Sequence, residues 1–412
     1  MGINAHRAFF STGEADHYLQ GLTLPDHKER RLRDARDAIR DALKAGFRDW
    51  AEVIGREELF ESAALASVYA YDAEPTLQPK FRGQGSYVYK TLNKPTHPSQ
   101  EIDLDDGMFL PVSFLARDGS SHPAVISDGY FNAVEAILRQ LCARKGWTLI
   151  TDKDSCVRIE IGDQAHIDLA LYAIPDDEFE VLVEKAALAS AARFSEFRDD
   201  LVSFAEDVYP QIPEDRIMLA HRKEGWKPSD PRRLEDWFHE AIREHGYQLR
   251  RVCRYLKGWR DFHWQQCRLS SIALMACAVA AYDEARSAPP ENRDDKALLM
   301  VAERLPQMLS DRIPNPVVDR QYLDEGWEDC RSDLVGKART LAAGLGGALS
   351  RHETREAIQD LLATFGIFMP DDPATLSVDG APSILTTGLL ASFADQPEAQ
   401  TAVQKDGDDR YG

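Results

Sequence analysis

Between residues 24 and 55 the chain places Leu32, Ala35, Ile39, Leu43 and Phe47 three and four positions apart among charged residues. That spacing puts a single apolar stripe on a helix. Leu24-Pro25-Asp26 supplies a start signal for it. A second apolar-rich segment, 57–71, is broken by the stretch from Pro75 to Pro79. From about residue 80 the period changes. Glu101-Ile102-Asp103-Leu104-Asp105 alternates at strand period, 127–145 reads as a helix, and the short runs 147–151, 156–161 and 166–171 read as strands. A helix followed by antiparallel strands predicts an α+β domain rather than a βαβ repeat.

Beyond about residue 186 the pattern is helical, with elements expected at 234–259, 270–286, 295–309 and 329–363. Gly344-Leu345-Gly346-Gly347 follows a helix rather than a strand, so it reads as a helix break and not as a dinucleotide loop. From Asp371 the composition turns to Pro, Asp, Ser, Thr, Gln and Gly, with one short helix expected at 384–393. The expected organisation is an α+β domain with N-terminal helices over 1–185, a helical domain over 186–370, and a largely disordered tail over 371–412.

The 412 residues are 43% hydrophobic and 29% charged, the composition of a globular protein with real cores. The longest apolar run, 272–282, is too short for a bilayer, and the first residues lack a signal-peptide pattern, so a cytoplasmic protein with no membrane partner is expected. The six cysteines are spread without a C-x-x-C pair and predict idle thiols rather than a zinc site. A net charge of −20 disfavours DNA as a partner, because duplex binding rests on Lys and Arg neutralising phosphates. A triphosphate in a small metal-containing cleft remains compatible with it.

On a strand, residues i and i+2 share a face, so Glu101, Asp103 and Asp105 point together while Ile102 and Leu104 face a core. Adjacent carboxylates repel unless a cation lies between them. Asp168, in His166-Ile167-Asp168-Leu169-Ala170, is presented in the same way on a second strand. Three such carboxylates suit two Mg²⁺ ions and in-line phosphoryl transfer. A solvated strand face is the competing reading. Gly85-Ser86 upstream has the small residues that let a backbone approach phosphate oxygens, although an ordinary turn uses the same pair.

The run Gly83-Gln84-Gly85-Ser86-Tyr87-Val88-Tyr89-Lys90-Thr91-Leu92-Asn93, followed by Gln100-Glu101-Ile102-Asp103-Leu104-Asp105-Asp106-Gly107, resembles the Gly-Ser and h-D-h-D signature of the cGAS/DncV-like nucleotidyltransferases. It is most similar to the DncV branch, the bacterial cyclic GMP-AMP synthases of anti-phage signalling systems. The resemblance extends through His166-Ile167-Asp168, Tyr172-Ala173-Ile174-Pro175, Ser229-Asp230-Pro231, Glu235-Asp236-Trp237-Phe238, the run from Cys253 to Asp261, and the run from Ser270 to Ala276. It covers about residues 80 to 290, is weak before 60 and loose after 300.

The resemblance implies a polymerase-β-like nucleotidyltransferase core joined to a C-terminal helical domain, with nucleotides held in the cleft between them. Asp103, Asp105 and Asp168 match the catalytic, metal-binding carboxylates, and Ser86, with Gly85, the position on the donor triphosphate. Gln84 and Tyr89 match residues lining the nucleotide pocket; Arg158, Asp230, Lys257 and Ser271 match residues contacting nucleotide. Simpler roles compete: Asp230 before Pro231 and Ser271 suit helix caps, Lys257 suits a helix end, and Arg158 suits an exposed ladder position. The implied activity is Mg²⁺-dependent synthesis of a cyclic dinucleotide from ATP and GTP. The rivals are a transferase acting on a protein, RNA or small-molecule acceptor, and a non-catalytic nucleotide-binding module. DNA activation is not implied, since the chain is acidic and lacks the zinc cluster of the animal members. The final residue, Gly412, is a candidate site of conjugation by a ubiquitin-transfer-like enzyme, because relatives are encoded beside such enzymes.

Overall fold

The computed structural model describes residues 2–48, 79–111, 114–117, 120–123, 127–174, 217–229, 231–287 and 289–379. Among them the chain builds a sheet-based core and a helical core that meet along one seam.

The sheet-based core begins with the helix that the apolar stripe predicts, α3 (Asp26–Arg48), whose Leu32, Ala35, Ile39, Leu43 and Phe47 are all buried. With α5 (Ser127–Lys145) it covers one face of a seven-stranded mixed sheet. At the centre, β3 (Ile102–Pro111) and β8 (Ala165–Ile174) run parallel, in register Asp103 to His166 and Asp105 to Asp168. β2 (Lys80–Gly83) flanks β3 antiparallel. The far edge of β8 is shared: β7 (Cys156–Gly162) lies along most of it, and β9 (Met218–His221) pairs with Tyr172 and Ala173. β6 (Thr148–Ile150) and β10 (Gly225–Pro228) complete the sheet beside β7 and β9, and the hairpin of β4 (Phe114–Arg117) and β5 (Ser120–Pro123) stands apart from it. The expected α+β class is what forms, with one parallel pair at its centre.

The helical core is made by α6 (Pro231–His245), α7 (Tyr247–His263), α8 (Ser271–Glu284), α9 (Asp294–Ser310), α10 (Arg331–Ser350) and α11 (Thr354–Phe365). The single helix expected over 234–259 is two, because Gly246 takes φ 84° and ends the first at His245. The Gly-rich tract is not a break. Gly344 to Gly347 lie inside α10, and the interruption falls at 351–353 instead. A methyl group on Gly344 would stand 2.5 Å from Thr364 Oγ1, so the tract lets α10 lie close against α11.

The expected domain limits also shift. The sheet continues past residue 185 to Pro228, because β9 closes the open end of β8. The N-terminal segment packs on the helical core: β1 (Ile3–Asn4), α1 (His6–Phe9) and α2 (Tyr18–Leu22) bury Ile3, Phe9, Tyr18 and Leu22 there. Phe9, Tyr18, Tyr255 and Phe365 form one aromatic cluster. The first residues of the expected tail are ordered, since β11 (Ser377–Val378) pairs antiparallel with β1. The segments 57–71 and 384–393, together with Asp230 and Gly412, lie outside the described residues. No helix among the described residues is long and apolar enough to cross a membrane.

Candidate active site

The parallel pairing of β3 with β8 brings the predicted carboxylates together. Ile102, Leu104, Ile167 and Leu169 go into the core, so Asp103, Asp105, His166 and Asp168 share the opposite face. Ligand atoms of Asp103, His166 and Asp168 lie within 4.8 Å of one another. Burial, then the nearby Asp103 and Asp168 carboxylates, push the Asp105 carboxyl up to about 7. A like-charged cluster held this tightly is a site for positive charge.

Gly85 shows why the Gly-Ser turn precedes these strands. It has φ 66°, and a methyl group there would overlap the Asp105 carboxylate, 2.7 Å from its Cγ. The Gln84 amide donates to the Asp105 carbonyl at 3.0 Å, and the short helix α4 (Gly85–Val88) carries half-buried Ser86. The Gln84 side chain packs over Gly107 and accepts from the Tyr172 hydroxyl at 3.3 Å, while its Nε2 is buried without a hydrogen-bond partner. Tyr89 is buried against Phe238 of α6, with its phenol pushed up by burial and by Glu235 and Asp105. Gln84, Gly85 and Tyr89 are thus gathered beside Asp105.

The remaining candidates divide. Arg158 is not an exposed ladder residue: it is a fork on Asp168, with Nε to Oδ1 and Nη2 to Oδ2 both at 2.7 Å. Each carboxylate oxygen keeps a second lone pair. Lys257 does not sit at a helix end in solvent. It is buried, donates to the Thr91 carbonyl at 2.6 Å, and is lowered to about 8, by burial first and then by Arg260. Ser271 is not the cap of α8, because Ser270 accepts from the Ala273 amide. The Ser271 hydroxyl meets Arg260 Nη1 at 3.1 Å, and no contact joins it to the aspartates among the described residues.

The seam between the cores is fastened around this site. Arg82 of β2 and Glu235 of α6 form a buried ion pair at 3.0 Å. Gln100, just before β3, donates to the carbonyls of Asp261 and Trp264, and Asn93 and Arg254 bond reciprocally. The segment joining the Gly-Ser turn to the aspartate strand is therefore tied to α7 and the residue that follows it. On the opposite face, Arg40 of α3 holds buried Asp106 through two hydrogen bonds.

Residues 79–172 match the cyclic GMP-AMP synthase DncV-like nucleotidyltransferase domain, and residues 246–377 match the cyclic GMP-AMP synthase C-terminal domain. A cyclic GMP-AMP synthase of Escherichia coli strain TW11681 is 30% identical over 318 residues, 74% of this chain and 72% of that protein. The chain belongs to the DncV-like nucleotidyltransferase family. Two solved structures of the Vibrio cholerae DncV enzyme have the same fold across 92% of this chain and all of theirs, each at 26% identity. One, in complex with ATP, GTP and 5MTHFGLU2, gives a TM-score of 0.73; the other, in complex with the linear intermediate 5′-pppA(3′,5′)pG, gives 0.72.

DncV-like enzymes are nucleotidyltransferases, a class that uses divalent metals, and the donor set here fits one. Asp103 Oδ1 and His166 Nε2 are both buried without a hydrogen-bond partner, although they lie 3.1 Å apart. Glu101 Oε2 meets the other ring nitrogen, Nδ1, at 2.6 Å. Burial alone would lower the His166 pKa, but Asp103 reverses that and leaves it raised. His166 was absent from the sequence-derived site. The signal was present, since it stands two residues before Asp168 on one strand and so shares its face.

Proposed function

We propose that this chain makes cyclic GMP-AMP from ATP and GTP by two successive nucleotidyl transfers, with two Mg²⁺ ions held by Asp103, Asp105 and Asp168. The observation that carries the reading is the convergence of these aspartates on one face of β3 and β8, beside a Gly-Ser turn that only glycine can make. The ions, when bound, lower the cost of ionising a ribose hydroxyl and neutralise the departing pyrophosphate.

The chain's own residues supply position and charge. In each transfer a ribose hydroxyl oxygen forms a bond to an α-phosphorus, the bond to the bridging oxygen breaks, pyrophosphate leaves, and the hydroxyl proton is lost. Ser86 and the amides of its turn face the donor triphosphate. Gln84 and Tyr89 line the base pocket, and Lys257 and Ser271 belong to the helical side; Asp230 is assigned to nucleotide contact on the resemblance alone. Arg158 holds Asp168 in place from β7 through its bidentate fork. The linear intermediate in the Vibrio cholerae structure carries its triphosphate on adenosine and a 3′,5′ linkage. By analogy, the first transfer joins the ATP 3′ oxygen to the GTP α-phosphorus. We place the product in anti-phage signalling in the cytoplasm on the strength of the family resemblance.

The test is incubation of the purified protein with ATP, GTP and Mg²⁺ and no other acceptor. A phosphatase-resistant product with the mass of cyclic GMP-AMP is expected. Turnover that requires an added protein, RNA or small-molecule acceptor overturns the reading in favour of a different transferase, and no turnover with any acceptor leaves only a nucleotide-binding module.

A further inference from the structure

Beyond the aspartates the same face of β3 and β8 changes character. Gly107 and Ala170 follow as register partners, and after them Phe109 and Tyr172, whose rings stack at 4.7 Å with 11° between their planes. Gln84, the last residue before α4, lies across this stretch. Its backbone amide donates to the Asp105 carbonyl at 3.0 Å, its side-chain oxygen accepts from the Tyr172 hydroxyl at 3.3 Å, and its side-chain nitrogen lies over Gly107. We propose that Tyr172 and Gly107 are positioning residues for the donor triphosphate: they hold Gln84 down on the sheet and so fix the turn that carries Ser86. The inference rests on the proposed function and deepens it, by naming what sets the place of that turn.

Three observations support it. First, the Gln84 side chain does not do what its place in the chain offers. It stands at the N-cap of α4 without capping it, and its Nε2 is buried without a hydrogen-bond partner among the described residues. The amide is therefore turned into the protein, and what Gln84 brings to the pocket is the position of the turn. Second, Gly107 is not a glycine for the sake of its backbone, because it lies within β3 and has no positive φ. Its missing side chain supplies room: a methyl group there would stand 2.3 Å from Gln84 Nε2 and 3.2 Å from its Cδ. Third, the Tyr172 ring is itself buried against Phe109, so its hydroxyl has a fixed aim. Ser86 lies two residues beyond Gln84 in a single short helical turn, and a displacement of Gln84 is passed to it directly. A misplacement of about 1 Å in a positioning element is enough to impair transfer.

The test uses the full-length protein, with initial rates measured at varied GTP and at varied ATP in Mg²⁺. GTP is the first donor in the proposed reaction, so its triphosphate is the one the turn meets. Tyr172→Phe keeps the ring and loses only the hydroxyl. It is expected to raise the KM for GTP about three- to tenfold, the effect of losing one hydrogen bond, with kcat and the KM for ATP changed by less than about twofold. Affinity for a GTP analogue with a methylene in place of the α,β-bridging oxygen should fall by the same factor in calorimetry, where no turnover occurs. Gly107→Ala should raise the KM for GTP at least as far. Both losses should vanish once their target is removed: Tyr172→Phe adds nothing to Gln84→Met, and Gly107→Ala adds nothing to Gln84→Ala. An unchanged KM for GTP in Tyr172→Phe, an equal rise for ATP, or the full loss retained beside Gln84→Met overturns the proposal. So does a lower kcat with both KM values unchanged, which marks Tyr172 as a residue of stability alone. Product formed with analogue binding indifferent to Tyr172→Phe refutes this inference alone; analogue binding that depends on Tyr172, without product, refutes the proposed function alone.

Discussion

Gly85→Ala isolates the requirement that the Gly-Ser turn places on the catalytic carboxylate. The added methyl group would stand 2.7 Å from Cγ and 3.1 Å from Cβ of Asp105. Carbon atoms in ordinary contact are about 3.5–4.0 Å apart, so the aspartate or the turn must move by about 1 Å. A shift of that size in a reacting group lowers turnover by about 100-fold. The substitution also puts a side chain at φ 66°, which costs about 1–2 kcal/mol in any left-handed position. Gly146 provides the control: it has φ 68°, and a methyl group there meets nothing within 4 Å. Both variants should therefore lose stability in urea titrations, Gly85→Ala the more because of its overlap with Asp105, while only Gly85→Ala loses initial rate in the ATP and GTP assay. Gly85→Ala activity above half of wild type would refute the argument, and equal losses in both variants would trace the effect to backbone strain alone.

Four further outcomes are expected. Asp103→Asn and Asp168→Asn should abolish product while leaving the thermal midpoint of Asp103→Asn unchanged or raised, because a charge leaves a repelling set; turnover in either, with Mg²⁺ present, contradicts the metal assignment. Lys257 titrates near 8 when folded against about 10.5 when unfolded, so the unfolded chain holds the proton more tightly between those values. Wild-type stability should accordingly rise by up to about 3 kcal/mol relative to Lys257→Met as pH goes from about 8 to above 10.5, and flat difference curves would contradict its burial. Arg40→Ala strands the fully buried Asp106 carboxylate and should cost about 3–5 kcal/mol in urea unfolding, partly restored in the double variant with Asp106→Asn. Duplex DNA should leave the initial rate unchanged, given the net charge of −20; salt-sensitive stimulation would reveal a basic surface.

What the sequence made legible is whatever its local period encodes. The stripe from Leu32 to Phe47 identified both α3 and its buried face, and the alternation from Glu101 to Asp105 identified the carboxylate face of β3. Helix 127–145 was legible to the residue. Partner choice was not. Nothing in the pattern of Ile3, Phe9 and Tyr18 tells that they join the helical core rather than the sheet next to them in sequence, because burial against one apolar surface looks the same as burial against another. Gly344 carries the same ambiguity: a glycine that ends a helix and a glycine that admits a neighbouring helix are one letter, and only Thr364 distinguishes them. In the site, the aspartates were legible because charge on a strand face is conspicuous. The burial of Lys257 and the orphaned nitrogen of His166 depend on residues from distant segments, Thr91 and Glu101, which spacing along the chain does not reveal.

The pairing of Ile3–Asn4 with Ser377–Val378 sets an order on how this protein comes into being. During synthesis the sheet has its last described strand once Pro228 has left the ribosome, and its core needs nothing from further along. The helical body cannot close until Val378 emerges, about 150 residues later, a wait of roughly 8–30 s at 5–20 residues per second. Through that interval Phe9, Tyr18 and Leu22 have no permanent surface to cover them, although they were the first residues made. The half that carries the aspartates is thus finished early, while α6 and α7, which follow it directly and face the site, wait for the rest of the helical core before their own packing is complete.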